Sequence, residues 1–314
     1  MKRFNIFLLS GLLLSCSESP FVSKDVIEEL IAFNKNKKNP FKDVKNVVAT
    51  INNDIYFFSH IDSIPKRLTN SPLEKKTNVK LSFDLTRIVY LDENKIPVII
   101  DSDNGQVLEI LSEYSNVKQL GWINNDNSIF LLIGNSVIIY GEAVEVVQPE
   151  ISYPSNEVLS FSMNDIGDQA YYIKSYGIYA GQKLKFDSEV NKIDTLISVL
   201  PNEVSGADYI NFYDDTGGFF VGYNDYTSNE IEHVSIFNDY FFWPFVDWYD
   251  DFIISPVFNS GHEVLIYGYS NGNYNSIKAV YLGTENYDKN SVEEIKTINI
   301  DEYLSEYPIY VDWK

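Results

Sequence analysis

From about residue 42 onward the chain is a succession of short apolar runs, rich in Val, Ile, Phe and Tyr, set off by turns of Asn, Asp and Gly. The runs are too short and too β-branched for helices, and they read as strands. The clearest stretch is 78–113. There Leu81-Ser82-Phe83-Asp84 closes one run, Arg87-Ile88-Val89-Tyr90 forms the next and Pro97-Val98-Ile99-Ile100-Asp101 a third. After Asp103-Asn104-Gly105, residues 106–111 supply a fourth. Four strands and three turns in roughly 40 residues make one blade of a β-propeller.

The same grammar predicts a first blade from 46–51, 54–61 and 65–69, and a third from 117–122, 128–133, 136–140 and 144–148. A fourth follows from 157–163, 169–175, 178–186 and 192–199. The fifth, less regular, uses 207–214, 218–223, 230–237 and 240–243, and the sixth 253–258, 263–269, 276–282 and 293–298. One strand, 308–313, is left over, and the first blade lacks an innermost member. The expectation is therefore an all-β, six-bladed propeller over 42–314, with four-stranded antiparallel blades and a ring closed by the C-terminal strand, which leaves no long unpaired edge at the seam.

The N-terminal end reads differently. Lys2 and Arg3 precede an apolar stretch, 4–14, too short to span a bilayer, and Ser15 supplies a small residue, so 1–15 is expected to be a removable signal peptide. Cys16 comes next and is the only cysteine, so no internal disulfide is possible and stability must come from burial. Leu13-Leu14-Ser15-Cys16 resembles the bacterial lipobox. That resemblance implies cleavage before Cys16 with lipid on its thiol and new amino group, and Ser17 after it implies the outer membrane, facing either periplasm or cell surface.

Residues 16–41 read as a lipid-anchored tether with a short N-terminal helix. Ser23 is the N-cap, Asp25, Glu28 and Glu29 fill the early turns, and Lys35, Lys37 and Lys38 follow the end, a distribution that suits the helix dipole. Asn39-Pro40 stops it.

Charge narrows the partners. The 314 residues carry 45 Asp and Glu against 24 Lys and Arg, a net charge of −21, and loss of Lys2 and Arg3 with the signal peptide takes it to −23. Such a surface repels phosphates, which excludes nucleic acid and leaves the N-terminal lipid as the membrane contact.

Arg67-Leu68-Thr69-Asn70-Ser71-Pro72, Leu81-Ser82-Phe83-Asp84 leading into Arg87-Ile88-Val89-Tyr90, and Ile100-Asp101-Ser102-Asp103-Asn104-Gly105 together resemble the TolB-type propeller repeat. That unit has an R-L-T strand end, a W-S-P-D-G turn, an aliphatic strand and a D-x-x-x-G hairpin. Here Phe83 stands in place of the Trp, and Asp84-Leu85-Thr86 in place of P-D-G. The resemblance covers the first three blades, and strand pattern alone carries the rest.

Catalytic and metal motifs are sparse. Asp101, Asp103 and Gly105 begin like a calcium loop, but the Gly comes one place early and Ser112 stands where a Glu is required, so a tight hairpin is expected. His60, His233 and His262 have no ligand spacing, and no metal or cofactor is expected. There is no Gly-x-Ser-x-Gly elbow, and any pair of carboxylates among so many is uninformative.

One segment departs from the repeat. Residues 239–251 pack Tyr240, Phe241, Phe242, Trp243, Phe245, Trp248 and Tyr249 among Asp239, Asp247, Asp250 and Asp251. As a rim, Tyr240, Trp243, Asp247, Trp248 and Asp250 would stack on and hydrogen-bond a glycan or peptide. As an outer strand, Phe241, Trp243 and Phe245 would alternate inward. The functional expectation is a monomeric, non-enzymatic envelope lipoprotein that binds a protein or peptidoglycan-associated partner. The alternative is a carbohydrate-binding or carbohydrate-cleaving propeller.

Overall fold

The computed structural model describes residues 41–123, 128–141, 145–147, 158–163, 169–174, 180–187, 192–199, 207–212, 219–224, 231–238, 241–247, 252–259, 264–270, 275–281, 294–298 and 309–313. Residues 1–40, and with them the expected signal peptide, Cys16 and the expected helix, lie outside these.

The regular structure described is all β, and the strands pair antiparallel. β1 (Lys45–Ile51), β2 (Asp54–His60) and β3 (Lys66–Arg67) begin the first sheet. β4 (Thr77–Leu81), β5 (Arg87–Leu91), β6 (Pro97–Asp101) and β7 (Val107–Ile110) form the second, in sequence order. β8 (Val117–Ile123), β9 (Ser128–Ile133), β10 (Ser136–Tyr140) and β11 (Glu145–Val147) form the third. β12 (Val158–Met163), β13 (Gln169–Lys174), β14 (Ala180–Asp187) and β15 (Lys192–Val199) form the fourth.

Two further groups follow: β16 (Ala207–Phe212), β17 (Phe219–Asn224), β18 (Ile231–Asn238) and β19 (Phe241–Asp247), then β20 (Phe252–Asn259), β21 (Val264–Ser270), β22 (Asn275–Tyr281) and β23 (Glu294–Ile298). The last strand, β24 (Val311–Trp313), joins the first sheet beside β1, through Val47 opposite Trp313, Val48 opposite Asp312 and Ala49 opposite Val311.

Two departures from the strand pattern have local causes. The fifth and sixth groups form one eight-stranded sheet, because β19 pairs with β18 only as far as His233 opposite Asp247. The edge of β18 beyond that point accepts β20 through Ile231 opposite Ile253. The expected strand at 65–69 shrinks to Lys66–Arg67, because the Thr69 hydroxyl, not a backbone carbonyl, accepts the Ile55 N–H at 2.9 Å. The chain can then turn away without leaving that donor unpaired.

The core lies between sheets, and strand alternation distributes it. In β1, Val47 and Ala49 pack with Ile266 and Ile277, while Val48 packs with Leu81 and Ile88. In β5, Ile88 and Tyr90 join that second cluster, whereas Val89 and Leu91 pack with Leu120 and Leu131. In β9, Ile129 and Leu131 face that third cluster, and Phe130 and Leu132 pack with Val158 and Phe161. A sheet buried on both faces needs apolar residues at successive positions, which is why these strands read as continuous runs. Each fully buried side chain of this size contributes roughly 1.5–3 kcal/mol.

Side chains tie the neighbouring sheets where their first strands meet. The Asp312 carboxylate on β24 accepts the Leu81 N–H of β4 at 2.9 Å and pairs with Lys80 at 3.2 Å. Trp122 Nε1 on β8 donates to the Lys80 carbonyl at 3.0 Å, with Arg87 5.5 Å from its ring centroid. Gln119 Oε1 on β8 accepts the Phe161 N–H of β12 at 3.0 Å and the Ser160 hydroxyl at 2.9 Å. A strand edge that would otherwise present bare donors is thereby satisfied from the adjoining sheet.

Candidate functional site

Of the residues expected to form a rim, Trp243 and Asp247 fall on β19, opposite Ile236 and His233. Tyr240, Trp248 and Asp250 lie outside the described residues. The ladder runs from Ser235 opposite Pro244 to Val234 opposite Val246, so Phe245 is skipped. The simple alternation of Phe241, Trp243 and Phe245 is thus interrupted by a bulge. Pro244 is the physical reason: it has no N–H for the ladder, and proline in sheets is confined to edges and bulges.

Of the other candidate residues, His60 and Asp101 are engaged in local structure. His60 Nε2 donates to the Lys42 carbonyl at 2.9 Å, and its Nδ1 accepts the Asp62 N–H at 3.1 Å. His233 lies on β18, in a different sheet, and His262 is outside the described residues. The Asp101 carboxylate accepts the Asp103 and Asn104 N–H groups, both at 2.9 Å, as a hairpin requires. Gly105 closes that hairpin at φ +73°, where a Cβ would stand 1.9 Å from the Leu68 carbonyl oxygen of the first sheet. Among the described residues no group of three or more His, Cys, Asp or Glu is placed to hold a metal ion.

The residues of the R-L-T-N-S-P stretch surround one buried carboxylate. Asp54 accepts from the Arg67 guanidinium, from the Thr69 hydroxyl at 2.8 Å and from the Ser71 N–H at 2.8 Å. Lys76, also buried, lies 3.9 Å from Asp54 and donates to the Ser71 carbonyl at 3.0 Å, the Ser71 hydroxyl at 2.8 Å and the Glu74 carbonyl at 3.0 Å. Burial lowers the Lys76 pKa below the ordinary lysine value, and the bond to Asp54 raises that of Arg67. The cluster fixes the loop from β3 to β4 through bonds within the chain itself.

A different surface stands out on β7, the last strand of the second sheet. All four of its residues are exposed, and three are large and apolar: Val107 at 49 %, Leu108 at 50 % and Ile110 at 55 %. The fourth, Glu109, accepts a hydrogen bond from the Tyr140 hydroxyl of β10. Tyr114 packs edge-on against Tyr140, with centroids 6.1 Å apart, and Glu113 is next to it in sequence. The hydrogen bond to Glu109, with burial and the nearby carboxylates, pushes the Tyr140 pKa up to about 12. Sequence reading placed a strand here but no site. The available signal was the contrast between Val107-Leu108-Glu109-Ile110 and Lys66-Arg67 at the corresponding position in the first sheet.

No protein-family model matches the chain, and no curated protein matches it in sequence. Among solved structures it is similar to one in a nidogen/laminin complex, with 8 % identity, a TM-score of 0.56, and coverage of 85 % of this chain and 97 % of that one. It is also similar to one in a mitotic checkpoint complex, with 13 % identity, a TM-score of 0.50, and coverage of 82 % of this chain and 79 % of that one. Both are β-propeller proteins, and the chain has the β-propeller fold.

Proposed function

We propose that this chain is a non-enzymatic cell-envelope lipoprotein whose TolB-like, six-bladed propeller binds a protein partner. In this reading β24 closes the ring, Cys16 carries the lipid, and the outer membrane holds it facing periplasm or cell surface. The order of contacts between first strands supports six blades: β24 lies against β4, β4 against β8, β8 against β12, β12 against β16, and β20 against β24.

The observation that carries the binding role is how the buried Asp54, Lys76 and Asp312 are used among the described residues. Asp54, Arg67 and Lys76 hold a loop, and Asp312 with Lys80 ties two sheets. These charges are used to hold the scaffold together, and the surface around them is what is available to recognise a partner. Both similar solved structures are of protein complexes, in keeping with that use of the fold.

Cross-linking native envelopes, purifying the lipoprotein and analysing proteins and glycans by mass spectrometry tests the reading. A stoichiometric protein is the expected result; glycan enrichment without protein would replace the reading with the carbohydrate alternative. Cys16→Ala should move the protein from the membrane fraction to the soluble one, and retention of the variant with lipid would end the lipoprotein assignment.

A further inference from the structure

We propose that the open edge of β7 receives an extended, cationic segment of the protein partner, which adds as a fifth strand to the second sheet. This rests on the scaffold reading and names its binding surface.

The backbone specifies an extended polypeptide. Leu111 N–H donates to the Pro97 carbonyl, and Glu109 stands opposite Ile99, so these residues turn their backbone groups toward β6. Antiparallel alternation then directs the N–H and C=O of Ile110 outward, and among the described residues no strand pairs with that edge. Outward backbone groups such as those of Ile110, flanked by apolar side chains, are what strand addition uses. The first sheet blocks the same event at β3, whose two residues are Lys66 and Arg67 and follow Pro65. Basic side chains and proline are an ordinary protection of an edge, and β7 has neither: its one charge is Glu109, and its one irregularity is the skipped Leu108.

The charge of the occupant follows from the surroundings. Glu109 and Glu113 are exposed carboxylates beside the Tyr114 and Tyr140 rings, a setting that attracts Lys or Arg through both charge and ring face. A second copy of this chain would set Glu109 against its equivalent on a molecule that also carries −21, which disfavours self-pairing.

The probe is a dye-labelled, end-blocked peptide of alternating Val and Lys, titrated into the full mature chain by fluorescence anisotropy. Saturable binding is expected. It should weaken about tenfold in Ile110→Lys, in Glu109→Gln/Glu113→Gln and on exchanging Lys for Glu in the peptide. A peptide N-methylated at alternate residues should not bind, because it cannot complete the ladder. The proposal is overturned by absence of binding, by undiminished binding of the N-methylated peptide, or by an unaffected Ile110→Lys variant. It is also overturned by a wild-type dimer in sedimentation that dissociates in Ile110→Lys, which would make the second copy the occupant. Recovery of the same envelope partner by wild type and Ile110→Lys would leave the scaffold reading standing and remove β7 from it. If wild type recovers no partner, the scaffold reading fails while the peptide titration still decides β7.

Discussion

The inner and outer edges of the sheets are finished in opposite ways. On the inner side, the Leu81 N–H is taken by Asp312 and the Phe161 N–H by Gln119, each reaching from the adjoining sheet. On the outer side, β3 carries Lys66 and Arg67, and β7 carries Val107, Leu108 and Ile110 in the open. Inner edges are closed by hydrogen bonds because sheets meet there and water is excluded, so an unpaired donor would cost the most. Of the outer edges, β3 and β7 face water and have no such requirement. What stands on them is free to reflect protection, as at β3, or recognition, as at β7.

The largest effect should come from removing an inner strand outright. Truncation of residues 308–314 takes away the buried Ile309, Val311 and Trp313 together with the Asp312 tie. Three such side chains represent roughly 5–9 kcal/mol, comparable to the whole stability of many domains. The truncated chain should lose its cooperative thermal transition by calorimetry. Retention of the wild-type melting temperature would show that β24 contributes nothing to the inner edge.

Asp312→Ala comes next. It leaves β24 in place but strands a buried N–H and an ammonium partner, and should destabilise by about 2–4 kcal/mol in denaturant titration. Asp312→Asn keeps an acceptor for Leu81 and should recover part of that loss. Equal losses in the two variants would assign the effect to the Lys80 ion pair alone.

This tie marks the boundary of what the sequence made legible. The strands of 78–113 can be read directly, because burial on both faces writes itself as unbroken apolar runs in β5 and β6. The Asp103-Asn104-Gly105 hairpin is equally plain, since its chemistry is local. Asp312 and Leu81 are 231 residues apart, and no periodicity reports a contact at that distance. The Thr69 hydroxyl that ends β3 is likewise invisible, because it substitutes for a backbone group and leaves the residue pattern intact. At β19, Pro244 was a readable warning of the bulge at Phe245. At β7 the residues are ordinary for a strand, and they become anomalous only once β7 is known to be outermost.

A smaller effect should follow from Tyr140→Phe, which cuts the hydrogen bond between β10 and Glu109 of β7. The expected loss is about 1 kcal/mol near neutral pH. The sign with pH follows from the folded-state pKa of about 12, raised above the ordinary tyrosine value. The wild-type advantage should be fully present below pH of about 10 and should fade as pH rises toward 12. Stability curves of wild type and variant that stay parallel across that window would show that this hydroxyl does not hold the outer strand.

The smallest effect on stability is expected at the most conspicuous side chain. Ile110 is more than half exposed on β7, so Ile110→Lys removes little burial and should change stability by no more than about 0.5 kcal/mol. The substitution gives β7 the kind of charge that β3 already has, and so converts one outer edge into the other. If apolar residues on β7 served the fold, the variant would melt well below wild type. If they serve recognition, melting is unchanged while capture of the cationic strand is lost, and the separation of those two readouts is the sharpest form of the contrast between inner and outer edges.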